Sequence, residues 1–169
     1  MTREKIIEAA TYILVFSAIW VISPLLAKWL DSLYFHYPYV ITRSAWMQLV
    51  GIGLLLLGSS LAVWTIFLFK TEGQGTPNPR IPPKNFILSG PYHFTRNPMA
   101  LGGLLILLGE STLYHSPSML GLSILYGIIL YLYIMWVEEP ELRVRFGAPY
   151  EAYLKRVPRF FPGPWKRFK

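Results

Sequence analysis

Two polar segments hold most of the residues whose types can do chemistry. Gly90-Pro91-Tyr92-His93-Phe94-Thr95-Arg96-Asn97-Pro98 sets an imidazole, a guanidinium and an amide just ahead of an apolar run. Glu138-Glu139-Pro140-Glu141-Leu142-Arg143 places paired carboxylates before an arginine, then continues through Phe146-Gly147, Tyr150 and Tyr153 to Val157-Pro158-Arg159. Carboxylates beside apolar chain can grip ribose hydroxyls, an amine or a sulfonium, and Glu139 can take a proton from an amine acceptor. Arg96 with a helix N-terminus can hold a carboxylate or phosphate. Plainer readings stand beside these: a solvated acidic boundary for Glu138 and Glu139, a snorkelling anchor for Arg96, and a surface position for His93. Tyr150 and Tyr153, three apart, share one helical face and suit ordinary packing as well as a site.

The elements that must position these groups are apolar helices. Of 169 residues, 53% are hydrophobic and only 15% charged, which favours a membrane class over a soluble one. A span needs roughly 20 apolar residues. Four runs are read as spans: Ile6–Leu30, with Ser23-Pro24 predicting a kink, Ala45–Phe69, the shorter Met99–Leu113, and Met119–Val137. The first follows Arg3 and Lys5 but is too long for a secretory signal and lacks a small-residue cleavage pattern. The expected fold is all-α: an integral membrane bundle of about four transmembrane helices with a cytoplasmic C-terminal helical segment.

One domain over residues 1–169 is expected, with two spans in 1–70, a Pro/Gly-rich loop in 71–98, a helical hairpin in 99–137 and a polar tail in 138–169. The hairpin should bring both polar segments to one bilayer face. In the loop, Gly73, Gly75, Pro77, Pro79, Pro82 and Pro83 forbid a long element. Phe86-Ile87-Leu88 is placed in the interface, and Ser89-Gly90-Pro91 signals a turn. Asn97-Pro98 opens the third span as an N-cap followed by a proline at the first helical position. Gly102 lets another backbone or a ligand come close. Glu138 and Glu139 should end the fourth span, where the helix dipole disfavours negative charge, so Arg143 or Arg96 should compensate. Short helices are predicted over Glu141–Phe146 and Ala148–Arg156, divided by Gly147. Glu110, near the outer turn at Ser116-Pro117, is read as interfacial, and His36 and His115 as outer-surface residues.

A net charge of +7 fits topology better than nucleic acid. With four spans, one side carries Arg3, Lys5, Lys70, Arg80, Lys84, Arg96 and eight more cations from Arg143 to Lys169, and the other carries only Lys28 and Arg43. The positive-inside rule places both termini in the cytoplasm. Phe160, Phe161, Trp165 and Phe168, alternating with Arg159, Lys166, Arg167 and Lys169, suit the headgroup zone. There is no cysteine, no three residues form a recognisable metal-ligand set, and neither a phosphate-binding glycine loop nor a nucleophile elbow is present.

Gly90-Pro91-Tyr92, Arg96-Asn97-Pro98, Gly102, Glu138-Glu139, Leu142, Phe146-Gly147, Tyr150, Tyr153 and Val157-Pro158-Arg159, in that order, resemble the isoprenylcysteine carboxyl methyltransferases and the related phospholipid methyltransferases. The resemblance covers about the C-terminal half. It implies a membrane enzyme that binds S-adenosylmethionine at the cytoplasmic face and methylates a lipid or prenylated acceptor, through a carboxylate or an amine. Two positions depart from the pattern: Asn97 stands where histidine is usual, and Ala100 where tyrosine is usual. The implied cofactor residues are Tyr92, His93, Arg96, Asn97, Pro98, Gly102, Glu138, Glu139, Tyr150 and Tyr153. Glu139, Arg143 and Arg159 are the expected catalytic residues, with Arg143 or Arg159 orienting the acceptor. The bilayer and a lipophilic acceptor are the expected partners. The alternatives are an NADPH-dependent sterol-reductase-like oxidoreductase and a non-catalytic scaffold or transport subunit.

Overall fold

The computed structural model describes residues 3–35, 44–78 and 81–160, and all its regular elements there are helical. They are α1 (Lys5–Phe35), α2 (Ala45–Thr71), α3 (Pro98–Tyr114), α4 (Pro117–Phe146) and the short α5 (Ala148–Leu154). α1, α2 and α4 are each long and apolar enough to cross a membrane. α3 has 17 residues, about 26 Å of rise, the low end of the spanning range. Leu14, Phe16, Trp46 and Leu56 stay exposed, as lipid-facing side chains do. His36, Arg43, Arg80 and the alternating tail beyond Phe160 lie outside the described residues.

Two prolines sit inside long helices, and a π turn precedes each: Ala18–Ile22 before Pro24, and Ile134–Glu138 before Pro140. Proline has no N–H and its ring crowds the carbonyl four residues back, so an ordinary α-turn is disrupted there. Widening the turn moves the previous donor back by five residues: the N–H of Ser23 goes to the carbonyl of Ala18, and that of Glu139 to Ile134. The Ile19 carbonyl would next bond residue 24, whose nitrogen has no proton. The Ser23 hydroxyl donates to it instead, at 2.6 Å.

The π turn in α4 corrects the expected end of the fourth span. The helix does not stop at Val137 but runs to Phe146. Glu138 and Glu139 therefore lie within a helix and not at its dipole-bearing end, and it is Arg143 and Arg145 that occupy the last turn. Gly147 then breaks the helix at φ 56°, ψ −133°, a conformation that favours glycine. α5 ends at Leu154, two residues short of expectation.

The chain forms two compact units, Met1–Ser60 with Gly102–Gly127, and Leu61–Leu101 with Ile128–Lys169. In the first, Ala27, Leu107 and Met119 make the core. α2 and α3 touch backbone to backbone at two glycine pairs: a Cβ on Gly58 would sit 2.6 Å from the Gly102 carbonyl oxygen, and one on Gly109 would sit 2.9 Å from that of Gly51. Asp31, on α1, accepts hydrogen bonds from the Ser116 hydroxyl and the Ser118 N–H (3.0 Å), fixing the start of α4. Glu110 is buried within the protein, 3% exposed. One turn past Leu107, it shares the face that packs on the core.

In the second unit the breaker-rich loop is held by its own bonds. The Gly73 carbonyl accepts the N–H groups of Lys84 and Asn85, and Glu72 accepts the Ser89 hydroxyl at 2.6 Å. Phe86, expected in an apolar interfacial patch, is packed into the protein. Its ring packs 5.2–5.6 Å from those of Phe146, Tyr150 and Tyr153, beside Val157.

Candidate functional site

Both polar segments fall in the second unit, and there they meet. Glu139, 5% exposed, is their centre. The Arg159 guanidinium binds it through two parallel hydrogen bonds, Nε to Oε1 and Nη2 to Oε2, each 2.8 Å. Arg96 Nη1 adds a third contact to Oε1 at 2.9 Å. The fork geometry of guanidinium suits this paired grip on a carboxylate. The hydrogen bonds to Glu139 raise the pKa of Arg159 further. The Arg159 guanidinium also lies over the Tyr131 ring, 5.0 Å from its centroid.

Backbone contacts register the two segments against each other. The Arg96 N–H donates to the Pro158 carbonyl at 3.0 Å. The Arg159 carbonyl accepts from Thr95 Oγ1 at 3.0 Å and from Asn97 Nδ2 at 3.1 Å. The Asn97 side chain thus ties the segments together, while its backbone carbonyl accepts the first helical bond, from Leu101 N–H. Pro98 takes the first helical position, fully buried. Before this, Gly90–His93 forms a single 3₁₀ turn begun by Gly90 at φ 56°.

Aromatic hydroxyls surround the cluster. Tyr153 donates to the Tyr92 carbonyl at 2.7 Å. Burial, then the phenol of Tyr153 and the carboxylate of Glu138, push the Tyr92 phenol up in pKa. Burial, reinforced by Glu139, takes Tyr150 up to about 12. Burial and the neighbouring Tyr150 raise Tyr153 as well. All three stay neutral hydroxyls at physiological pH.

Glu138 differs from its neighbour. It is half-buried, the carboxylates of Glu139 and Glu141 are the charges that act on it, and no described residue makes a hydrogen bond or ion pair with it. Arg96 is 12% exposed, and its Nε is a buried donor with no acceptor. The cluster therefore offers one unsatisfied donor on a cation and one unsatisfied carboxylate.

Not every expected residue joins it. Arg143 does not pair with Glu139; it bonds Glu151 at 2.8 Å, both half-exposed, because the last turn of α4 points it toward α5. His93 is exposed, its Nδ1 3.2 Å from the Gly90 carbonyl. Gly102 belongs to the first unit, where the close backbone approach is that of α2. Conversely, Thr95 and Tyr131 were not singled out by their sequence positions, and Phe86 was read only as part of an interfacial patch. Thr95 lay inside the first polar segment, but nothing local distinguishes a bonded threonine from a spacer.

The phospholipid methyltransferase family model matches residues 46–149. No curated protein and no solved structure matches the chain.

Proposed function

The chain belongs to the phospholipid methyltransferase family and is a membrane methyltransferase, and from that premise we propose that it moves a methyl group from S-adenosylmethionine to the amine of a lipid at the Arg96–Glu138–Glu139–Arg159 site. The observation that carries this reading is the inequality of the two adjacent carboxylates: Glu139 is consumed by two guanidinium groups, while Glu138 has no cation.

The residues fit the methyl donor. Its amino-acid end presents a carboxylate, which matches the unsatisfied Arg96 Nε and the positive face shared by Arg96 and Arg159. The neutral phenols of Tyr92 and Tyr150 supply hydroxyls, and aromatic faces suit a sulfonium. When bound, S-adenosylmethionine supplies an electrophilic methyl carbon; the acceptor's lone pair forms the new bond and the sulfur keeps the electrons of the broken one.

The chain's own residues then orient and deprotonate. Arg96 and Arg159, locked on Glu139, form a fixed positive wall that holds the donor's carboxylate. Glu138 accepts the proton that the amine must lose, because a carboxylate already holding two guanidinium groups is a poor proton acceptor. Glu139, expected from sequence to be a catalytic group, becomes the organiser of the arginines. A lipid acceptor enters laterally from the bilayer, and the excess of cations on the side of the termini supports a cytoplasmic site.

Calorimetry on detergent-purified protein with S-adenosylmethionine, its demethylated product and NADPH tests the donor. Heat with the first two is expected; none from folded protein would sink the reading. Labelled methyl donor offered with aminophospholipid, prenylcysteine or thiol acceptors should label the first. Label in prenylcysteine instead would transfer the site to carboxylate chemistry. For sidedness, the chain has no cysteine, so one introduced by Lys155→Cys can be probed in sealed inverted vesicles, where it should react with an impermeant maleimide. Protection in inverted vesicles and reaction in right-side-out ones would reverse the topology.

A further inference from the structure

The strap Val157–Phe160 carries Arg159 to the site without belonging to any helix. Its guanidinium is held by Glu139, but its backbone is held separately, by side chains 62 and 64 residues earlier. Thr95 and Asn97 are 4% and 9% exposed. The Asn97 N–H donates to Thr95 Oγ1 at 3.3 Å. Having one lone pair occupied there, the hydroxyl turns its proton to the Arg159 carbonyl. The amide of Asn97 supplies a second donor to that same oxygen. A carbonyl has two lone pairs, and this one has both engaged by buried donors.

We infer that Thr95 and Asn97 are positioning residues for Arg159: they clamp its carbonyl so that its guanidinium reaches Glu139 and the Tyr131 ring already oriented. Neither touches Glu138 or the Arg96 side chain in any described contact. Arg159 is the residue whose carbonyl both of them hold. An arginine on an unanchored strap has a long flexible stem to organise, and a wall of mobile guanidinium groups loses its preorganisation. The inference rests on the proposed function only for its kinetic consequence; the clamp itself does not depend on any ligand.

Two readouts separate the two ideas. The clamped oxygen belongs to the Arg159–Phe160 peptide bond, a trypsin site. Limited proteolysis of the full chain in detergent, with cleavage positions read by mass spectrometry, reports clamp opening directly. Thr95→Val and Asn97→Ala should each raise cleavage at that bond about tenfold, as loss of one hydrogen bond from a local opening equilibrium does, with cleavage after Lys155 unchanged. Thr95→Ser, which keeps the hydroxyl, should restore the wild-type rate. KM for S-adenosylmethionine should rise about tenfold in Thr95→Val and Asn97→Ala with kcat within about twofold, the pattern of lost donor binding. Should Thr95→Val not fold, Asn97→Ala carries the test alone. Unchanged cleavage at Arg159 in the folded variants overturns the clamp. Faster cleavage with unchanged KM, in a protein that does bind the donor, overturns the positioning role. Faster cleavage in a chain whose wild type binds no donor leaves the clamp standing and sinks the proposed function instead.

Discussion

Glu138 and Glu139 are chemically identical and adjacent, so exchanging each for glutamine changes the same atoms in two environments. Glu139→Gln removes the charge that joins Arg96 and Arg159 and turns one of the two oxygens that accept the contacts at 2.8, 2.8 and 2.9 Å into a donor. Breaking a buried ion pair from one side costs about 3–5 kcal/mol, because the surviving charges stay in place uncompensated. Arg159 remains 23% exposed and recovers some hydration, so the low end, about 3 kcal/mol, is expected. For a chain this size that is a fall in unfolding midpoint of about 6–12 °C. Glu138→Gln removes no described ion pair and should leave the midpoint within about 1 °C, while methyl transfer to an amine acceptor falls at least about a hundredfold, as losing a general base does. The assay is thermal unfolding in detergent, read by tryptophan fluorescence, beside labelled methyl transfer. A Glu139→Gln protein that melts with the wild type, or a Glu138→Gln protein destabilised as much as Glu139→Gln, would refute the division of roles.

Two further outcomes follow from the geometry. Gly58→Ala puts a Cβ 2.6 Å from the Gly102 carbonyl; since backbone cannot yield, it should cost about 1–3 kcal/mol by overpacking, whereas Gly53→Ala, with nothing within 4 Å of its Cβ, should cost nothing, and paired unfolding curves decide. Tyr92, Tyr150 and Tyr153 all have raised pKa values. A raised folded value means stability fully present below the unfolded tyrosine pKa of about 10 and lost as pH rises through the folded values, about 12 for Tyr150. Absorbance at the phenolate band should therefore lag behind that of free tyrosine and appear together with unfolding; early ionisation without unfolding would contradict the burial.

Much of this molecule follows from local sequence. Three apolar runs longer than a bilayer core marked helices able to span it, and a fourth, shorter run marked α3, since backbone in lipid must satisfy itself. Asn97-Pro98 and Gly147 marked a helix start and a break because proline and glycine restrict or free φ wherever they occur. The two polar segments were visible because charge is rare in this chain. Membership of a methyltransferase family was legible in their ordered residues.

What only the tertiary structure decided is how equivalent groups divide their work. Along a helix, neighbouring side chains diverge by about 100°, so Glu139 meets the arginines while Glu138 makes no described ion pair, though nothing in the letters separates the two. The π turn before Pro140 carries α4 past its predicted end and removes the dipole argument that sequence suggested. Arg143, four residues from Glu139, pairs with Glu151 instead, while Arg159, 20 residues on, takes the bidentate place. Asn97 and Thr95 find their acceptor more than 60 residues downstream. Local sequence sets which groups are available; which of them meet depends on how a proline-bent helix and a glycine turn return the chain upon itself.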